Sequence, residues 1–492
     1  MLKITYNHNG TGRGDLACEV GDSVVISDSF SIKDATPLAD LPADVLTRHG
    51  LKQLFDGWTN ALESPPPESY LYLGTVNGST LWLRLVHERS NVGATIGLAS
   101  PVEVGVDFRR NGICYSTPDG FSRESIPPIE GTVGEILIGI RRSRAMLIAQ
   151  EQPEHDPTFI FEHFRGTYGT QLLTAAVIHF RIFEHFRGQS CSRTQLQTAL
   201  ELADRPYCVL LTALKAMDLL IEKEDVLSVT PAAQEHFLHG KEGSIADYVG
   251  LAGDAHEVLG MVERLKSNQP YGLETDDNGA AFIYRDGIRS AMEQKELARH
   301  FTMSLAGRAK NVAPVLADRY RLDDAHLLLD VGGGSGIYAI AYLARNHNLR
   351  AIVMDRPEVL TVAEEFAIEY GVEDRLELRS GDMFSDPFPP ADVVLLSNIL
   401  HDWDVPECQQ LVQKGANALP PGGRLLIHDV FLNDDHSGPL PIALYSAALF
   451  TLTEGRAYSV REYRNWMNAA GLTVTGPVNT LIHCGVMIGT KG

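Results

Sequence analysis

Apolar residues recur along this chain in three different rhythms. Up to about residue 150 they come in short alternating runs broken by turn residues, a pattern that predicts strands. Tyr70–Val76 and Thr80–Val86 flank Asn77-Gly78, a dipeptide that tolerates the positive φ of a tight turn, and together they predict a hairpin. Val102–Phe108 alternates and predicts another strand, while Pro65-Pro66-Pro67 and the stretch around Gly131 and Gly134 punctuate. From about 157 to 300 the spacing becomes helical, over Leu172–Phe186 and again over Tyr207–Leu220, with Pro206 at the start of the second run. Leu219–Thr230 reads as a helix end followed by a small β-wing, so the region has the outline of a winged helix. The hexapeptide Phe-Glu-His-Phe-Arg-Gly occurs at 161–166 and at 183–188, but nothing around it repeats, which speaks against a repeat architecture.

From about residue 326 the rhythm changes again. Leu327–Asp330, Arg350–Asp355, Ala391–Leu396 and Arg424–Asp429 are nearly continuous apolar runs separated by helical stretches. Strands of that kind are buried on both faces, which predicts a largely parallel, doubly wound Rossmann-like α/β sheet. The expected organisation is a β-rich or α+β accessory domain over 1–150, a helical winged-helix-like domain over 151–300, and the α/β domain over 301–492.

Composition narrows the partners. A length of 492 residues exceeds what one core supports. The formal charge of −21 repels phosphate backbones, which argues against nucleic acid. Six cysteines are scattered without a CxxC pair, the pattern of reduced thiols in the cytoplasm rather than of a disulfide framework or zinc site. The first residues have no leader pattern, and no apolar run approaches the ~20 residues of a membrane helix. The expectation is a soluble cytoplasmic protein with no membrane partner.

The chemistry lies in the last third. Asp330-Val331-Gly332-Gly333-Gly334-Ser335-Gly336 follows a strand and opens a helix, where glycines allow backbone to approach a ligand closely. About 20 residues on, Asp355 ends the next strand, with Arg356 beside it, placed to accept hydrogen bonds from two ribose hydroxyls. These features predict a nucleotide cofactor without choosing among its kinds. Gly381-Asp382-Met383-Phe384 follows a third strand: the carboxylate can receive an adenine amine and Met383 offers a soft face to the ring. Ser397-Asn398-Ile399-Leu400-His401-Asp402-Trp403 lies at the C-terminal end of a fourth strand, where open α/β sheets place their ligands.

With the Leu419-Pro420-Pro421-Gly422-Gly423 turn, this ordered set resembles the small-molecule O-methyltransferases, from plant caffeate and flavonoid enzymes to acetylserotonin methyltransferase and bacterial natural-product enzymes. The resemblance spans about 157–492, and Thr453-Glu454-Gly455-Arg456-Ala457-Tyr458-Ser459 gives it a bacterial character. It implies S-adenosyl-L-methionine as cofactor, contacted by Gly332, Gly334, Asp355, Arg356, Asp382, Met383, Ser397 and Trp403. It implies His401 as the base that takes the acceptor's proton, oriented by Asp429, with Asp402 and Met303 at the substrate and no metal. It further implies a homodimer through the winged-helix-like region, which roofs the partner's pocket.

Two positions depart from the plant pattern. The second orienting acid is replaced by Ala457, and the Lys four residues before the catalytic His is Ser397. Glu454 and Tyr458 are candidates to compensate for Ala457. Methylation of a hydroxyl in natural-product biosynthesis is the leading expectation. Methylation of an electron-rich carbon, a relative that uses the cofactor structurally, and a regulatory winged-helix protein are the alternatives.

Overall fold

The computed structural model describes residues 149–269 and 295–492, together with eight strands within residues 2–116. The punctuation at Pro65–Pro67, Gly131 and Gly134, the Asn77-Gly78 turn and residues 270–294 of the expected helical region lie outside the described residues. The chain divides into two compact units: Met1–Glu151 with Ile368–Val372, and Gln152–Ala367 with Glu373–Gly492.

In the first unit β1 (Leu2–His8), β2 (Arg13–Val20) and β3 (Ser23–Ser31) form one antiparallel sheet. A second contains β4 (Glu68–Val76), β5 (Ser79–Glu88) and β6 (Asn91–Ala99), and a third pairs β7 (Glu103–Asp107) with β8 (Gly112–Ser116). The expected hairpin is β4–β5, with Val76 opposite Ser79.

In the second unit, the run expected as one helix over Leu172–Phe186 is divided. The helix Thr167–Thr174 widens into a π turn over Ala175–His179, Arg181 adopts a left-handed φ of 49°, and a 3-10 turn covers Ile182–Phe186. The reversal lets Phe180, Ile182, Phe183 and Phe186 all enter the core, which one straight helical face does not allow. The second run forms the helix Asp204–Ala216. Around it, β9 (Cys191–Ser192), β10 (Leu220–Lys223) and β11 (Val226–Val229) make a small antiparallel sheet in the order β10-β11-β9.

The main sheet contains β12 (Leu327–Val331), β13 (Arg350–Asp355), β14 (Leu376–Ser380), β15 (Val393–Ser397), β16 (Arg424–Leu432), β18 (Leu472–Asn479) and β19 (Cys484–Lys491) in the order β14-β13-β12-β15-β16-β19-β18, and the short β17 (Tyr458–Ser459) pairs with β16. The strands from β12 to β16 run parallel, as the apolar runs predict. β19 runs antiparallel to both β16 and β18, so the sheet is mixed. Burial patterns carry no direction; the short link between β18 and β19 forces a hairpin, and a parallel return needs a crossover. Strand order reverses between β12 and β15, and open α/β sheets hold their ligands at the C-terminal ends of the strands beside such a reversal.

The helix Leu440–Leu452 is apolar around most of its circumference because, between its exposed end residues Leu440 and Leu452, most of its side chains are buried. Ala447 and Phe450 enter the core built by the 172–265 helices, so helical region and sheet share packing.

Candidate active site

The turn after β12 is shaped first by its own packing. A Cβ on Gly332 would lie 2.5 Å from Ile399 Cδ1, and one on Gly333 would lie 2.7 Å from Asp330 Cγ, so neither position admits a side chain. Gly334 differs: its φ is +59°, yet nothing stands within 4 Å of where its Cβ would be. That open space is where a ligand can meet backbone. Gly334 N–H donates to Asp355 Oδ2 at 2.9 Å and Arg356 N–H to Oδ1 at 2.7 Å, which fixes the carboxylate at the end of β13 and leaves it lone pairs to offer. Beneath the turn, burial and the nearby Asp355 push the Asp330 carboxyl up to about 8, which favours its neutral form.

Asp382 is exposed after β14. Its Oδ1 accepts from the N–H groups of Phe384 (2.7 Å) and Ser385 (3.0 Å), which leaves Oδ2 to face outward. Met383 is half-buried, and Phe384 meets the buried Trp403 edge-on at 4.6 Å. A carboxylate, a thioether and an aromatic wall fit a purine. Ser397, in contrast, is held within the protein: its hydroxyl is 3.0 Å from His428 Nδ1 and accepts from Asn398 Nδ2 at 3.1 Å.

His401, in the 3-10 turn Leu400–Asp402 that follows β15, meets Asp429, which lies within the adjacent parallel strand β16. His401 is 3% exposed, and its Nδ1 donates to Asp429 Oδ1 at 2.5 Å. Asp429 also accepts from Val430 N–H at 2.8 Å and, through Oδ2, from the Tyr463 hydroxyl at 2.9 Å. Burial opposes the Asp429 charge, but His401 and these donors outweigh it and hold the carboxyl below its usual range. Burial likewise opposes a charged His401, yet Asp429 and Asp402 outweigh it and raise the imidazole pKa. Asp402 Oδ1 lies 3.6 Å from His401 Nε2, and burial pushes its carboxyl up to about 7.

Nothing in the sequence singles out Tyr463, because it sits in the inward stripe Tyr463, Trp466, Met467 of the helix Val460–Ala469 and reads as core. The Ser459/Glu462 capping box that starts this helix is the one local signal that fixes its register. Tyr458, one of the two candidates to replace the missing acid, directs its hydroxyl to the Trp403 carbonyl at 2.5 Å. Gly455, in the same segment, is pressed against the His401–Trp403 backbone: a Cβ there would fall 2.1 Å from the His401 carbonyl oxygen. Met303 is 43% exposed on the helix Lys295–Arg319. Among the described residues no group of acidic, His or Cys side chains could hold a metal ion, and no helix is long and apolar enough to cross a membrane.

A mixed sheet with a glycine turn after its first strand, acids at the ends of the next two, and a buried His–Asp pair beyond the strand reversal defines a class I methyltransferase. The sequence profile of the O-methyltransferase domain matches residues 275–473. The 3-hydroxy-5-methyl-1-naphthoate 3-O-methyltransferase of Streptomyces sahachiroi is 30% identical over 318 residues, which cover 64% of this chain and 89% of that protein. An O-methyltransferase family 2 protein from Planctomyces limnophilus, crystallised with apigenin, is 44% identical with a TM-score of 0.62 over 70% of this chain and 98% of that one. The L-tyrosine C(3)-methyltransferase of Streptomyces lavendulae is 27% identical over 312 residues, 62% of this chain and 84% of that protein. The chain belongs to the O-methyltransferase family, and its cofactor is S-adenosyl-L-methionine.

Proposed function

We propose that this chain transfers the methyl group of S-adenosyl-L-methionine to a phenolic or enolic hydroxyl of a small molecule in natural-product biosynthesis, with His401 as general base. The observation that carries the reading is the His401–Asp429 pair. With Nδ1–H donated to Asp429, the neutral ring keeps its lone pair on Nε2, the atom left to take a proton. Bound cofactor supplies a methyl group on a positive sulfur, so a neutral thioether leaves. Asp355, with Gly332, Gly334 and Arg356, would hold the ribose and the turn-facing end; Asp382 Oδ2 would take the adenine amine; Met383 and Trp403 would flank the ring; the Ser397 hydroxyl, engaged by His428 and Asn398, is not among these contacts. As the acceptor oxygen attacks, its proton passes to Nε2, and Asp429 and Asp402 stabilise the imidazolium. Holding oxygen and methyl in line supplies the rest of the acceleration.

Asp402 also faces the acceptor. Met303 lines the pocket beneath the partner of a homodimer formed through the winged-helix-like region 151–300, which accounts for an exposed methionine on a single chain. Residues 1–150 are an accessory domain of the same chain as the methyltransferase domain 301–492. Free thiols at Cys191, Cys208, Cys408 and Cys484 fit a reducing cytoplasm.

Incubation with methyl-labelled cofactor and a panel of phenols, apigenin among them, tests the reading: label is expected in an O-methyl ether. Cofactor binding without methyl transfer to any acceptor would overturn it. A C-methyl product, the chemistry in the name of the Streptomyces lavendulae relative, would favour the carbon-methylating reading.

A further inference from the structure

We infer that the acceptor carries a carboxylate beside its reacting hydroxyl, bound by Arg165 and Arg308. The inference rests on the proposed reading of this site as the acceptor end of a methyltransferase.

Arg165 ends the helix Thr158–Arg165 and is 6% exposed. Its guanidinium lies 3.6 Å over the Tyr445 ring and 5.4 Å from the Phe161 ring, and no hydrogen bond or ion pair to it exists among the described residues. Arg308, on the helix Lys295–Arg319, donates one NH group to Asn398 Oδ1 at 2.9 Å and the other to Cys484 Sγ at 3.0 Å. Its Nε is buried without a partner, and no carboxylate among the described residues forms an ion pair with it. A buried Arg165 guanidinium without a paired anion is costly, because the protein removes its water and places no carboxylate against it. Arg308 is half-buried beside it; Cys484, Tyr445, Tyr338 and Asp429 hold its pKa up against burial, but none of them forms an ion pair with it. Burial, with the Arg308 charge added to it, holds Arg165 below its ordinary pKa.

Both cations stand on the acceptor side. Tyr445, under Arg165, faces the His401 ring at 5.7 Å. Cys484, bonded to Arg308, pairs with Val430, the neighbour of Asp429, across β16 and β19. The ribose- and adenine-facing residues Gly332, Gly334, Asp355, Arg356, Asp382 and Met383 lie at the ends of β12, β13 and β14, on the other side of the strand reversal. Asp429, the carboxylate that helps to hold the Arg308 pKa up, is already bonded to His401 and Tyr463. The missing anion therefore arrives with the acceptor, and the guanidinium fork matches a carboxylate. The cofactor's own amino-acid carboxylate is the other source of that chemistry.

The test pairs 3-hydroxy-1-naphthoate and salicylate with their methyl esters and measures binding to the demethylated-cofactor complex by calorimetry. At least one acid is expected to bind about tenfold or more tighter than its ester. Arg165→Gln and Arg308→Gln are each expected to bring that ratio towards one, with affinity for the demethylated cofactor unchanged within about twofold. Equal binding of acid and ester, binding of neither, or a ratio that survives both substitutions overturns the inference. So does an Arg308→Gln variant that loses cofactor affinity while keeping the acid preference, since the guanidinium then serves the cofactor. Acid preference without any O-methyl product would leave the carboxylate site standing and overturn the proposed function instead.

Discussion

Tyr463 donates its hydroxyl to the Asp429 oxygen that His401 does not use, at 2.9 Å, inside the protein. In the proposed mechanism this contact stands in for the second acid that Ala457, buried and without a polar side-chain atom, does not supply. Asp429 is thereby held by donors on both oxygens, and its orientation sets that of the His401 ring.

A series of substitutions separates the base from its supports. His401→Ala is expected to lower kcat by roughly 10²–10⁴-fold, the usual worth of a general base, with cofactor affinity nearly unchanged. Tyr463→Phe leaves one buried carboxylate oxygen short of a donor and is expected to cost about tenfold in kcat/KM. Single-turnover rates and calorimetric affinities check both. Equal loss of cofactor binding in His401→Ala would assign the imidazole a structural role.

The pH profile follows from the carboxylates around the base. Only neutral His401 can accept a proton, and Asp429 and Asp402 raise its pKa. The acid limb of kcat/KM is therefore expected above the ordinary imidazole value of about 6.5. Asp402→Asn removes one stabiliser of the imidazolium, so the limb should move to lower pH. A limb that stays in place or moves up in this variant contradicts the assignment.

Gly455 has a purely steric role. Alanine there must displace the backbone of His401, Asp402 or Trp403, because no flexible side chain is in the way. Gly455→Ala is expected to reduce kcat by more than about 10²-fold through misplacement of the base. Circular dichroism and thermal unfolding would show whether the loss is confined to the site.

A second buried network is expected to govern acid stability. Glu462 accepts from Arg456 at 2.7 Å and from the Ser459 N–H at 2.7 Å, and lies 3.1 Å from His436 Nε2. Burial opposes its charge, but His436 and Arg456 outweigh burial and hold the carboxyl well below the usual range. A depressed acid stabilises fully above its unfolded value of about 4.3 and loses that contribution as pH falls further. Glu462→Gln is expected to cost about 2–3 kcal/mol near neutrality and to flatten the decline of Tm below pH ~4.3.

Much of the cofactor side was legible in the chain itself. A strand, a glycine turn, a helix and an acid about 20 residues on occupy one continuous stretch, so sequence spacing alone brings Gly334 to Asp355. Gly381-Asp382-Met383 was legible for the same reason, as was the β4–β5 hairpin from its two-residue connection. Apolar runs determined which segments become buried strands; they did not determine that β18 and β19 return antiparallel, because burial carries no direction.

The acceptor side was decided by tertiary structure. His401 meets Asp429 because β15 and β16 lie side by side, a pairing that hydrogen bonds make between segments far apart in the chain. Tyr463 and Arg165 read as ordinary members of amphipathic helices until the fold turns one towards a buried carboxylate and the other over Tyr445. Local chemistry thus determined what this protein holds as its cofactor. What surrounds the reacting hydroxyl depends on contacts between distant segments, which no local pattern encodes.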